Sequence, residues 1–331
     1  MEHVNPDTKM LRKSVKKDAS RLGWSLLLYA GISMAVAFVY MIIKVVMAFI
    51  QTDIFSMTDP AAQDQLLNDL INEMLQSAGY MIAGVIIGIL VLLLIFRKKQ
   101  IHKAIFQKNK SMTVPKFLQF LCVFMGGQLV FQLIFQLLES GLNLIGYTAE
   151  ASMELATANS QTLSMFLYVG IIGPIAEEIV YRGFAMRSLE KHGKLLAILV
   201  SSILFGVMHC NLPQSIGAML VGITLGYVAM EYSVIWSIVL HILNNLVFGD
   251  LLNHAISGLD ESTQEILFYV IMGGFFLAGA FIIIRKRKQI QEYIIQNRWQ
   301  KQTLLWTLTA VGILVFILSQ LIIAIAFLER M

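Results

Sequence analysis

Gly173-Pro-Ile-Ala-Glu-Glu-Ile-Val-Tyr-Arg-Gly183 sets two adjacent carboxylates and an arginine inside an apolar stretch that begins near Leu163 and is otherwise long enough to enter a bilayer. An ionisable group in a membrane segment costs roughly 2.5–3.5 kcal/mol on insertion scales, so it marks a buried pair, a polar cavity or a reaction site. On a helix, Glu178 and Arg182 stand at i and i+4 and can pair, which leaves Glu177 turned by about 100° toward a different neighbour. Taken alone, the segment fits a structural ion pair as well as it fits a functional site.

The rest of the chain explains why such a segment should be in a membrane. Of 331 residues, 57% are hydrophobic and 14% charged, with a mean hydropathy of +0.71. Soluble domains carry about a quarter charged residues. Apolar runs of membrane-spanning length recur, without the short alternating segments of a strand barrel, so helices are the spanning element. The expectation is an all-α polytopic membrane helix bundle of eight to nine transmembrane helices. The net charge of +4 is small and forms no nucleic-acid face. Cys122 and Cys210 lack metal-ligand spacing, give no disulfide framework, and read as packing residues.

Taken in order, residues 1–21 form a basic N-terminus with Lys9, Arg12, Lys13, Lys16, Lys17 and Arg21. No small-residue cleavage pattern follows, so a retained anchor is expected over 22–50, with Lys44 snorkelling near its far end. An acidic stretch from Gln51 to Ser77, including Asp53, holds an amphipathic helix that starts at Pro60, after Asp59. Further spans are expected over 78–96 and 116–138. The latter carries Gln128, Gln132 and Gln136 on one face, for interhelical hydrogen bonding or for a water-accessible cavity. A polar connection with Asn159-Ser-Gln161 leads to the span of the two glutamates.

A fifth apolar run, 195–208, carries Phe205 and His209 toward its far end, and the turn Asn211-Leu-Pro-Gln214 separates it from the sixth. Gly222 and Gly226 there allow a neighbouring backbone to come close. The seventh, 234–252, carries His241, Asn244 and Asn245, and two more apolar runs complete the chain. The organisation reads as a basic terminus (1–21), N-terminal membrane helices (22–160), a core (161–252) and C-terminal membrane helices (253–331).

Positive residues orient this layout. Twenty-three of the 25 Lys and Arg residues fall in 1–21, 97–116, 182–194 and 285–301, which alternate to one side of a nine-span arrangement. Positive connections face the cytoplasm, so a multi-pass cell-membrane protein with a cytoplasmic N-terminus is expected.

Three polar groups then lie on different apolar helices: Glu177 with Glu178 and Arg182, His209, and His241 with Asn245. His241 and Asn245 are four apart and share a face. A lone intramembrane histidine is commonly a hydrogen-bonded structural group. A carboxylate, two imidazoles and an amide on neighbouring spans are hard to explain that way.

In this order, Glu177-Glu-x-x-x-Arg182, Phe205-x-x-x-His209 and His241-x-x-x-Asn245 resemble the three motifs of the CPBP intramembrane proteases, the family of CAAX prenyl endopeptidases and their bacterial relatives. Tyr181-Arg-Gly183 extends the first motif. The resemblance covers roughly 162–250, with no departure at the motif positions. It implies peptide-bond hydrolysis by a glutamate, in which Glu177 and His209 activate water while His241 and Asn245 stabilise the oxyanion. Elementary chemistry allows the same roles, because burial raises the proton affinity of a carboxylate and amide or imidazole N–H groups stabilise developing negative charge best in a low dielectric. Glu178 and Arg182 take a supporting role, and Phe205 reads as a packing wall. No cofactor is expected.

Glu177, His209 and His241 are also residues a zinc or iron centre would use, but the paired His-Glu-x-x-His spacing is missing. A non-catalytic scaffold or immunity-type protein of the same fold is the alternative from another class, and a transporter is disfavoured because no interrupted helices recur in repeated halves. The expected partners are the lipid bilayer and a membrane-associated peptide or protein, reached from the cytoplasmic side.

Overall fold

The computed structural model describes residues 6–51, 59–97, 105–157 and 162–331. Asp53, Lys98, Lys99, Lys103 and the Asn159-Ser-Gln161 connection lie outside these described residues. Twelve helical segments are used below: α1 (Pro6–Gln51), α2 (Pro60–Leu75), α3 (Gly79–Phe96), α4 (Val114–Asn143), α5 (Glu150–Thr157) and α6 (Leu163–His192) are followed by α7 (Lys194–Val207), α8 (Leu212–Glu231), α9 (Val234–Ile256), α10 (Glu261–Asn297), α11 (Thr303–Leu308) and α12 (Val311–Ala326).

Among the described residues, seven helices (α1, α3, α4, α6, α8, α9 and α10) are long and apolar enough to cross a membrane. The chain is thus an all-α polytopic membrane bundle. The fifth and ninth apolar runs are shorter than a span. α7 has 14 residues, about 21 Å of helix against a hydrocarbon core of about 30 Å. The ninth run breaks at Thr309–Ala310 into α11 and α12. The outward surface suits lipid: Phe38, Leu94, Val270, Phe281 and Ile322 are all exposed.

α1 begins earlier than the apolar pattern suggests. From Pro6 the sequence contains no helix breaker before Gly23, and Val15, Ala19, Leu22 and Leu26 are buried along one face. The basic N-terminal segment is therefore the first turns of a long helix. α2 starts where expected, with the Asp59 side chain accepting from the Ala61 N–H and Pro60 in the first turn. α1 packs against α3, α11 and α12, and α10 lies along α4. The α1–α12 contact depends on two glycines: a Cβ at Gly23 would fall 2.1 Å from the Gly312 carbonyl carbon, and one at Gly312 would fall 2.1 Å from the Ser20 oxygen.

The two ends of the bundle differ chemically. At one end Glu231 accepts from Lys110, Lys194 and Tyr293, and Asp18 meets Lys191 and His192. Glu231 in turn holds the Lys110 ammonium above its usual range through their hydrogen bond. These contacts gather the basic connections, including the short turn after α8. At the other end, Lys44 pairs with Glu73, and Thr162 donates to the Gln76 carbonyl. There too β1 (Tyr147–Thr148) pairs antiparallel with β2 (Glu329–Arg330), bringing the chain's last residues beside the connection after α4. The alternation read from charge is thus matched by which connections touch.

Candidate active site

α6, α7 and α9 pack together with α8 and carry the polar residues to one place. α6 is not a uniform helix: Tyr168–Ile172 and Ile179–Met186 are π-helical, as is Leu243–Leu251 of α9. Widened helical turns of this kind are rare and are often found at functional sites.

The first widening has a sequence cause. The Gly173 N–H bonds back to the Tyr168 carbonyl, five residues earlier, and Pro174 has no N–H. The Val169 carbonyl therefore has no donor from either helical register. Asn245 fills the gap from across the interface, its Nδ2 donating to the Val169 oxygen at 3.1 Å. The Asn245 oxygen accepts from Asn244, and the Asn244 oxygen accepts from Gln128 at 2.7 Å. Gln128 thus forms an interhelical bond, as does Gln136 to Tyr269, while Gln128 and Gln132 also face a cavity. Both readings of the glutamine stripe hold, each for part of it.

The adjacent glutamates occupy opposite environments. Glu178 is fully buried, 2.9 Å from Arg182, and accepts from Ser237 and from Nδ1 of His241. Arg182 is equally buried. Its Nη2 donates to the Gly222 carbonyl at 3.2 Å, and the guanidinium carbon sits 4.1 Å from the centroid of the Phe205 ring. Gly222 eases that approach, since a Cβ there would lie 3.1 Å from Nη2 and the guanidinium would have to shift by a few tenths of an ångström. Gly226, one turn on, packs against Ile198 of α7. An isolated buried charge would be very costly, so the carboxylate, guanidinium, imidazole and hydroxyl have to be read as one unit.

Glu177 keeps a quarter of its side chain exposed, and its Oε2 lies 3.7 Å from Nε2 of His241. That is within ion-pair range and longer than a hydrogen bond. Because a carboxylate can only accept, Nδ1–H of His241 points at Glu178 and its Nε2 faces Glu177. His209 is oriented by a different device. Its Nδ1 is 2.9 Å from the Phe205 carbonyl and 3.2 Å from that of Gly206, and carbonyls only accept. Nδ1 therefore carries the proton, leaving Nε2 of the neutral ring as an acceptor.

Phe205 stands between the two imidazoles. Its ring is edge-on to His209 at 5.1 Å and to His241 at 5.7 Å, and Tyr181 packs on it at 5.6 Å. The wall anticipated from sequence is thus the spacer that sets the separation of both rings and seats Arg182.

Glu177, His209, His241 and Asn245 all line one cavity of about 510 Å³. It extends from Phe124, Val221 and His241 at mid-depth to Met153, Gln214 and Asn253 at the end away from the basic cluster. No residue of 187–194, 231–233 or 285–301 lines it. The expectation that the site is reached from the basic end is thereby corrected. The reason is the length of α7, whose last turn delivers His209 and then reverses inside the bundle at Cys210 (φ +50°) and Asn211. Asn211 caps α8 by accepting from the Gln214 N–H, and it donates to the Ser152 carbonyl, holding α5 over the turn.

Ser237 and Val169 were not singled out from sequence, and Asn244 was named there without a role. Ser237 had a signal, standing four residues before His241 on the same helical face. Among the described residues no three His, Cys, Asp or Glu side chains converge as a metal-ligand group.

A helical membrane core with two fixed imidazoles and a divided carboxylate pair is the class of protein these features define. Residues 159–247 match the family model described as Type II CAAX prenyl endopeptidase Rce1-like, and this core is similar to the CPBP family of CAAX-protease-like membrane proteins. The chain is also 28% identical over 136 residues to the Bacillus subtilis (strain 168) protein described as "Putative membrane peptidase YdiL". That alignment spans 40% of this chain and 55% of the relative's length. No solved structure matches the chain.

Proposed function

We propose that the protein is an intramembrane endopeptidase that hydrolyses a peptide bond of a membrane-associated substrate, with Glu177 as general base. The observation that carries this reading is the division of labour between neighbours: Glu178 is consumed by Arg182, Ser237 and His241, whereas Glu177 faces the cavity that His209, His241 and Asn245 also line.

In this scheme a water molecule is held between Glu177 and Nε2 of His209. Glu177 takes a proton as the water oxygen adds to the scissile carbonyl carbon. The carbonyl π electrons move to oxygen, where the second N–H of the Asn245 amide and a protonated Nε2 of His241 donate to the oxyanion. Donation from Nε2 requires the imidazolium, since Nδ1–H is already given to Glu178, and that carboxylate balances the added charge. Collapse of the intermediate breaks the C–N bond. The proton held by Glu177 passes to the leaving nitrogen, and the hydroxyl proton that remains from the water is taken by Nε2 of His209 and returned to solvent, giving a new carboxylate and a new amine.

The basic segments gathered at one end support a cytoplasmic N-terminus by the positive-inside rule. The test is a comparison of membranes from cells carrying wild-type protein or Glu177→Gln. An uncut precursor that accumulates only with the variant supports the reading. Equal membrane proteomes, with the variant folded and present at wild-type level, would favour a scaffold of the same fold. Chelation of wild-type membranes separates the metal-dependent alternative, since side-chain activation of water leaves cleavage unchanged.

A further inference from the structure

The cavity's lining mixes apolar side chains, Phe124, Phe131, Phe248, Phe268 and Met272, with six primary amides: Gln128, Gln132, Gln214, Asn244, Asn245 and Asn253. Among the described side chains no Lys or Arg lines it, and Glu177 is the one carboxylate that does.

A primary amide offers two donors and an acceptor with two lone pairs, which suits the alternating N–H and C=O groups of a peptide main chain and does not distinguish side chains. A polypeptide drawn to membrane depth must have those groups satisfied, because no bulk water reaches them there. The available capacity fits this use. Gln128 spends one N–H on Asn244, leaving its carbonyl oxygen and second N–H, and among the described residues the side chains of Gln132 and Gln214 find no hydrogen-bond partner. A free terminal carboxylate would meet Glu177 and, among the described residues, find no lysine or arginine to pair with.

We propose that these amides bind the main chain of an extended, uncharged internal segment of the substrate, entering from the end of the bundle away from the basic cluster, and that they do not recognise a free C-terminal carboxylate. The proposal rests on the endopeptidase reading for its substrate class, yet it concerns binding and is tested without turnover.

The probe is a short Leu- and Ala-rich photoactivatable peptide, crosslinked to purified full-length Glu177→Gln protein in detergent. It is prepared as the C-terminal amide, as the free acid, and with alternate backbone nitrogens methylated. The expected result is equal capture of amide and acid, and at least about tenfold weaker capture of the methylated peptide, as loss of one or two hydrogen bonds requires. Gln128→Leu with Gln132→Leu should weaken capture of the unmethylated peptide by a similar factor. Tenfold preference for the free acid, capture indifferent to methylation, or no capture at all would each overturn the proposal. Methylation-sensitive capture in a protein whose wild type cleaves nothing would leave the proposal standing and remove the endopeptidase reading.

Discussion

Nδ1 of His241 lies 3.1 Å from Oε1 of Glu178 while Nε2 of the same ring faces Glu177 at 3.7 Å, so one imidazole touches both of two consecutive carboxylates. The two glutamates cannot be interchanged. Glu178 belongs to the architecture, and Glu177 to the cavity.

Glu178→Gln should therefore be mainly a stability variant. It leaves a fully buried arginine without its counter-charge, a change that costs about 3–5 kcal/mol when one partner of a buried pair is removed. Thermal unfolding of the purified protein should show a clear drop, whereas Glu177→Gln should unfold close to wild type. Equal unfolding of both variants would mean that Arg182 finds another partner.

Asn245 carries two duties that can be separated. Asn245→Leu leaves the Val169 carbonyl without a donor, a loss of about 1–3 kcal/mol. Pro174→Ala restores an N–H at the residue facing that carbonyl in the widened register. The double variant should recover part of the stability and none of the activity. Strict additivity in unfolding would contradict the proposed cause of the widened turn.

Gly312→Ala should loosen the C-terminal helix from α1. The added methyl would sit 2.1 Å from the Ser20 carbonyl oxygen, so the helices must separate. Overpacking of this kind costs about 1–3 kcal/mol. Hydrogen exchange should rise first in 311–326, with the cavity unaffected. Gly141, where nothing lies within 4 Å of an added Cβ, is the control for exchange at this site.

Orientation is open to direct labelling. Single cysteines at Lys288 and at Leu259, in a background lacking Cys122 and Cys210, should differ in intact cells. An impermeant thiol reagent should reach position 259 and label position 288 only after permeabilisation. The reverse pattern would invert the bundle and place the mouth of the cavity on the cytoplasmic side.

Much of this was legible in the sequence because membrane insertion penalises charge so heavily. The rarity of Lys and Arg outside four segments fixed which connections share an end, and Glu231, with its lysine and tyrosine partners, shows those connections touching. Glu177, His209, His241 and Asn245, from three apolar helices, line one cavity, whereas Glu178 and Arg182 do not. Depth was harder to read. Hydropathy cannot distinguish a helix that crosses from one such as α7, which stops after 14 residues and turns His209 inward. Nor does local pattern reveal the widened register at Val169, whose cause lies in Pro174 but whose compensation comes from Asn245, 76 residues away. Long helices also ran past their apolar cores, as α1 and α10 do through basic residues, because nothing in those stretches breaks a helix.

The most direct measurement uses purified full-length protein and a precursor identified from membranes of the Glu177→Gln cells, incubated in water enriched in heavy oxygen. The account predicts that wild-type protein cuts the precursor at one internal bond and leaves heavy oxygen in the new carboxylate, while folded Glu177→Gln slows cleavage by at least about a hundredfold. Cleavage at an undiminished rate by the folded Glu177→Gln protein would contradict it.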